Sequence, residues 1–196
     1  MTLSGIGGSL VVAGGALVGI AFVAYLDGAG VGFGETNTQG LIVNAALGAL
    51  ALGLAILAVA PPVRGRVVHV GLALLAAGPA SELTFSILVS ASPDGWVPGS
   101  PVFLLEVGGA LAAFLGALLL GVALARAGGW PRAVGALLVI ATLLNALLTI
   151  LGSNRVPLPP HTALAGLGLA VLAEVSVGVL AIVGARAHRS PDGSPR

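Results

Sequence analysis

Five side chains in this sequence can do chemistry that their neighbours cannot: Asn44, Glu82, Glu106, Asn145 and Glu174. Each is strongly polar and lies inside a long apolar run. A carboxylate in hydrocarbon is costly unless it is paired, protonated or in contact with water. The chain has no Lys, and no Arg stands within the middle of any apolar run. Glu82 and Glu174 must therefore be protonated, share a proton with another carboxylate, or meet a wet cavity. A carboxylic acid kept neutral in an apolar pocket can give a proton to a substrate or a hydrogen bond to a ligand. That makes Glu174 and Glu82 the candidate proton donors.

The residues around these five share their character. Gly78, Glu82, Ser86 and Ser90 recur every four residues, so on a helix they occupy one face that is unsuited to lipid. Pro79, just before Glu82, removes a backbone donor and leaves the Leu75 carbonyl without its helical partner. Asn44 lies between Gly40 and Gly48, Asn145 between Thr142 and Thr149, and Glu174 one turn before Gly178. Glu106 is followed by Gly109, Ala113 and Gly116. At a rise of about 1.5 Å per residue, Asn44, Glu82, Glu106 and Asn145 fall in the outer half of their spans and Glu174 near the middle. The pattern predicts one polar chamber, open to the outer side and floored by Glu174. Its candidate ligand-binding set is Asn44, Glu82, Ser86, Glu106, Thr142, Asn145, Thr149 and Glu174.

A plainer reading stands beside this one. Asn and Thr in membrane helices also serve as interhelical hydrogen bonds, each worth roughly 0.6 kcal/mol. Glu82, Glu106 and Glu174 with His161 lack any HxxxH or ExxH spacing, so no metal is expected. His69 and His161 read as interfacial residues. There is no GxSxG, no HExxH and no phosphate-cradling glycine loop with Lys, and no cofactor is implied.

The elements that must position these groups follow from composition. The chain has 196 residues, 57% hydrophobic and 8% charged, with a mean hydropathy of +1.10. Soluble domains carry about 25% charged residues, so this is an all-α, polytopic membrane protein forming a single integral membrane domain over residues 1–196. A formal charge of +1 is too weak for a nucleic-acid footprint. The absence of Lys excludes a retinal-type Schiff base. The absence of Cys excludes disulfides, thiolate catalysis and palmitoylation.

Six spans are predicted, at about 4–26, 38–60, 67–90, 101–125, 131–151 and 162–185, forming a six-helix bundle. The first is too long for a usual signal-peptide core and has no basic segment before it, so it is read as a span. With six spans, Arg64, Arg66, Arg126, Arg132, Arg186, Arg189 and Arg196 fall on one side and only Arg155 on the other. Asp27, Glu35 and Asp94 fall on that other side. The positive-inside rule then places both termini in the cytoplasm. Trp130 reads as an interface anchor, and Gly15 with Gly19 as a small-residue packing pair.

The second half resembles the DUF4386 family of bacterial six-span membrane proteins. The residues that carry the likeness are 121–134 (GVALARAGGWPRAV) and 172–184 (LAEVSVGVLAIVG). Trp130, Pro131 and Arg132 match the family's basic turn between its fourth and fifth spans. Ala173 and Glu174 match an Ala-Glu pair in its last span. The Gly78-Pro79 pair before Glu82 departs from the family pattern. The resemblance implies a six-span fold in a bacterial inner (plasma) membrane and implies no activity.

Four functions fit these residues. The leading one is the binding of a lipophilic or amphiphilic small molecule in the outer chamber, with membrane lipid as the other partner. The others are an intramembrane acid-catalysed enzyme of the isoprenoid cyclase or isomerase type, a proton-coupled carrier, and a structural subunit of a membrane complex.

Overall fold

The computed structural model describes residues 2–26, 38–91, 100–153 and 160–187. Asp27, Glu35, Asp94, Arg155, Arg189 and Arg196 lie outside the described residues, as do the side chains of Ser90, Thr149 and His161. Among the described residues all regular structure is helical: α1 (Leu3–Leu26), α2 (Thr38–Val59), α3 (Arg66–Ala91), α4 (Pro101–Ala127), α5 (Gly129–Ser153) and α6 (Pro160–Ala187). All six are long and apolar enough to cross a membrane. The chain is a six-helix integral membrane protein, as its composition predicts.

The helix ends follow local chemistry. Ser100 caps α4, its Oγ accepting from the Phe103 amide at 3.2 Å, and Pro101 fills the first helical position, where no donor is needed. α4 and α5 are separated by Gly128 alone. Gly128 (φ 78°) and Gly129 (φ 56°) both adopt the left-handed backbone that only glycine tolerates cheaply, which is why so short a turn is possible. At the α2–α3 turn, His69 Nδ1 lies 2.6 Å from the Ala58 carbonyl, one of the acceptors that the end of α2 leaves without a helical partner. α3 runs as one helix through Pro79.

Each helix packs on its neighbours in sequence, and α1 packs on α6, so the six form a closed ring. The α3–α4 contact is the most extensive and the α5–α6 contact the least. Glycine contacts show the pairs to be antiparallel. Gly7 meets Gly53 and Gly14 meets Ala46; across α3 and α4, Gly71 meets Leu120 and Gly78 meets Ala113. One end of the ring therefore carries the α2–α3 and α4–α5 turns, the start of α1 and the end of α6. It is called the turn end here. The opposite, far end corresponds to the outer side of the sequence reading.

The core is not centred between the two ends. Its largest fully buried side chains include Leu54, Leu57, Leu72, Leu120, Leu124, Val134 and Val177. All lie in the turn half, and that core takes residues from all six helices. In the far half the described buried apolar cluster is small, built on Val43 and Leu47.

Candidate functional site

Helical spacing shows where each polar side chain points. On α3, Glu82 shares a stripe with Gly71, Leu75, Gly78 and Ser86, all buried. Ser86 is only 1% exposed. The face predicted from the four-residue repeat is thus an inward face, and Glu82 lies partly buried on it. On α4, Glu106 lies above Gly109, Ala117 and Leu124, again all buried. On α5, Asn145 continues the buried row Val134, Leu138, Ala141. On α6, Glu174 stands over Val177, Gly178 and Ala181, each buried. On α2, Asn44 lies between buried Gly40 and Leu47. Five helices each turn one strongly polar side chain inward, and α1 contributes none.

Depth follows from the antiparallel register. Glu174 sits at the middle of the 28-residue α6, just above the buried Val177 and Ala181. Asn44, Glu106 and Asn145 lie nearer the far end. Ser81 on α3 packs directly against Gly109 on α4. Extending that register by one turn puts Glu106 opposite Phe85, about one turn from Glu82. Asn145 reaches towards α6: a Cβ at Gly166 would lie 3.2 Å from its Oδ1. Asn44 differs, because its Oδ1 is buried and has no hydrogen-bond partner among the described residues.

The hydroxyls are largely engaged with their own helices. Thr142 Oγ1 donates to the Leu138 carbonyl at 2.6 Å, Ser81 Oγ to Gly78 at 2.8 Å and Thr84 Oγ1 to Ala80 at 2.8 Å. Thr142 therefore faces any ligand as an acceptor. Thr149, the remaining candidate, has its side chain outside the described residues. The candidate acids do not all converge: among the described residues no three His, Asp or Glu stand close enough to hold a metal ion. By register Glu82 and Glu106 lie about one turn apart on the two sides of the α3–α4 seam, while Asn44 stands on α2 and Glu174 on α6.

Sequence reasoning missed two contacts. Gly109 gives way to Ser81, which brings α3 and α4 together just below the two acids. His69 caps α2. A serine facing a glycine on the next helix carries no signal in a sequence with 31 glycines. No protein-family profile, curated protein or solved structure matches the chain.

Proposed function

We propose that this integral membrane protein binds a lipophilic or amphiphilic small molecule in the far half of its helix ring, with Asn44, Glu82, Glu106, Asn145 and Glu174 as the polar contacts. One observation carries the reading. Five successive helices each aim one strongly polar side chain inward from mid-depth to the far half, while the turn half beneath them is filled by apolar side chains. Polar groups placed so would stabilise a molecule with a polar head and an apolar body better than they would stabilise the bundle itself. The arginine distribution favours both termini in the cytoplasm. Kinship with the DUF4386 family, proposed on the Trp130–Arg132 turn and the Ala173–Glu174 pair, would add a bacterial inner membrane location and no activity.

A second reading, acid catalysis on an isoprenoid-type substrate, draws on Glu174. It stands at mid-depth on a helix whose described basic residue, Arg186, lies about three turns away. A neutral acid there could protonate a bound alkene.

The test is extraction into detergent-free native discs, followed by mass spectrometry of what co-purifies. One class of molecule enriched over bulk lipid, and lost in an Asn145→Leu/Glu82→Leu variant that still folds, is the expected result. A co-purifying set no different from bulk lipid sinks the binding reading. Stoichiometric protein partners in its place would favour the structural-subunit alternative.

A further inference from the structure

The six seams of the ring are not alike. On four of them the helix backbones touch. Between α1 and α2, a Cβ at Gly14 would lie 2.8 Å from the Ala46 carbonyl, and one at Gly53 2.8 Å from the Gly7 carbonyl. Between α1 and α6, a Cβ at Gly178 would lie 2.8 Å from the Gly8 carbonyl. Between α3 and α4, one at Gly71 would lie 2.9 Å from the Leu120 amide nitrogen. Between α4 and α5, one at Gly121 would lie 3.0 Å from the Gly135 carbonyl. The other two seams are made differently. Across α2–α3, Gly48 meets only the Leu83 side chain, at 3.7 Å. Across α5–α6, Gly166 meets the side chains of Leu148 and Asn145.

The four tight seams tie the helices into two triplets, α6–α1–α2 and α3–α4–α5. Backbones in contact through glycine have no side chain between them to repack, so each triplet moves as one body. Seams built from side chains can slide or part. The two looser seams lie on opposite sides of the ring and divide it in two. They divide the polar groups as well: Glu82, Glu106 and Asn145 belong to one triplet, Asn44 and Glu174 to the other.

The α2–α3 seam is tied at one end. Its two helices are joined at the turn end, where His69 reaches the Ala58 carbonyl and the large apolar core draws on all six helices. In the far half the apolar cluster is small, with Val43 and Leu47 of α2 packed beside Leu83 of α3. Asn44 stands one turn beyond Gly48 on the same face of α2. Its buried Oδ1 has no donor among the described residues. A closed seam leaves that carbonyl unsatisfied, and parting the seam lets water or a ligand donor reach it.

We infer that the α2–α3 seam is the mouth of the far half. The two triplets part there at the far end, pivoting on the turn-half core, and admit an amphiphile from the surrounding lipid to the polar groups. The division into triplets stands on packing alone. The use of the mouth by an amphiphile rests on the binding reading above.

The experiment places pairs of spin labels on the full chain in lipid nanodiscs and measures their separation by double electron–electron resonance. The native chain has no cysteine to interfere. Leu41, Leu88, Leu147 and Leu172 are exposed and accept labels without touching a seam. Leu41 with Leu172 stays within one triplet, Leu88 with Leu147 within the other, and Leu41 with Leu88 spans the mouth. Each pair within a triplet should give a single narrow distance. The pair across the mouth should add a component shifted to longer distance, and N44L should diminish it, because the seam then closes over an apolar side chain. A mouth pair as narrow as the other two, or triplet pairs as broad as the mouth pair, overturns the inference. A long component that N44L leaves unchanged overturns the part given to Asn44. The wild-type distances decide the question even if N44L fails to fold. They also stand apart from the binding reading: a co-purifying set like bulk lipid would sink that reading and leave these distances unchanged, whereas a closed mouth would leave it standing.

Discussion

The two halves of this ring are packed by different means. In the turn half, helices meet backbone to backbone. A Cβ at Gly116 would run into the Leu75 amide nitrogen and lie 2.7 Å from the Gly71 carbonyl; one at Gly135 would strike the Gly121 carbonyl; one at Gly8 would lie 2.6 Å from the Gly178 carbonyl. In the far half, most of the described glycines face side chains or open space. Gly48 has only Leu83, at 3.7 Å, and Gly108 has nothing within 4 Å. Gly109 is the exception, pressed against Ser81 and 3.2 Å from the Ala77 carbonyl, one turn from Glu106. In lipid no hydrophobic force draws helices to one another, so close packing must supply the stability. The contrast is one of placement: most of the close backbone seams and the large apolar core lie in the turn half, and four of the five strongly polar inward side chains lie beyond them in the far half.

Four tests would break or sharpen this contrast. The largest effect belongs to the turn half. Gly116→Ala forces a methyl into the α3 backbone and should cost about 3 kcal/mol, read as a lower thermal midpoint in detergent. Gly108→Ala, on an open face of the same helix, should be neutral or slightly stabilising, by less than about 1 kcal/mol. Equal losses in the two would end the claim that the seams bear the stability.

The next effect has the opposite sign. A buried carbonyl without a partner costs about 1–3 kcal/mol, so Asn44→Leu should raise stability by about 1 kcal/mol while reducing the enrichment of a co-purifying molecule. A destabilised variant would show that Asn44 serves the fold, and the far half would lose its distinction.

Glu174→Gln probes the boundary between the halves and should leave folding unchanged, since it keeps size and hydrogen-bonding capacity. A binding role predicts that the co-purifying molecule stays. A proton-transfer role predicts intact folding with loss of turnover on an isoprenoid substrate, and full turnover in the variant would remove that role.

The smallest perturbation tests the sidedness on which the words inner and outer rest. The chain has no cysteine, so single cysteines at Ser100 and Ser194 report cleanly. An impermeant thiol reagent on intact cells should label the first and spare the second. The reverse pattern would turn the chamber towards the cytoplasm.

Much of this could be read from the sequence because hydrocarbon is an unforgiving solvent. Stretches of twenty or more apolar residues have to span, the backbone in them has to be helical, and a glutamate among them has to turn away from lipid. The six helices and the inward Gly78–Glu82–Ser86 face follow from those three constraints, and the structure bears them out. Which helices touch does not follow. These spans are apolar nearly all round, and glycine is spread through all of them, so periodicity marks no partner-facing stripe. Only the tertiary structure closes α1 onto α6 and presses Ser81 into Gly109. The reason is physical: a lone span meets only the solvent rule of the bilayer, whereas its register against a neighbour is decided by where two backbones can approach, and that depends on both helices at once.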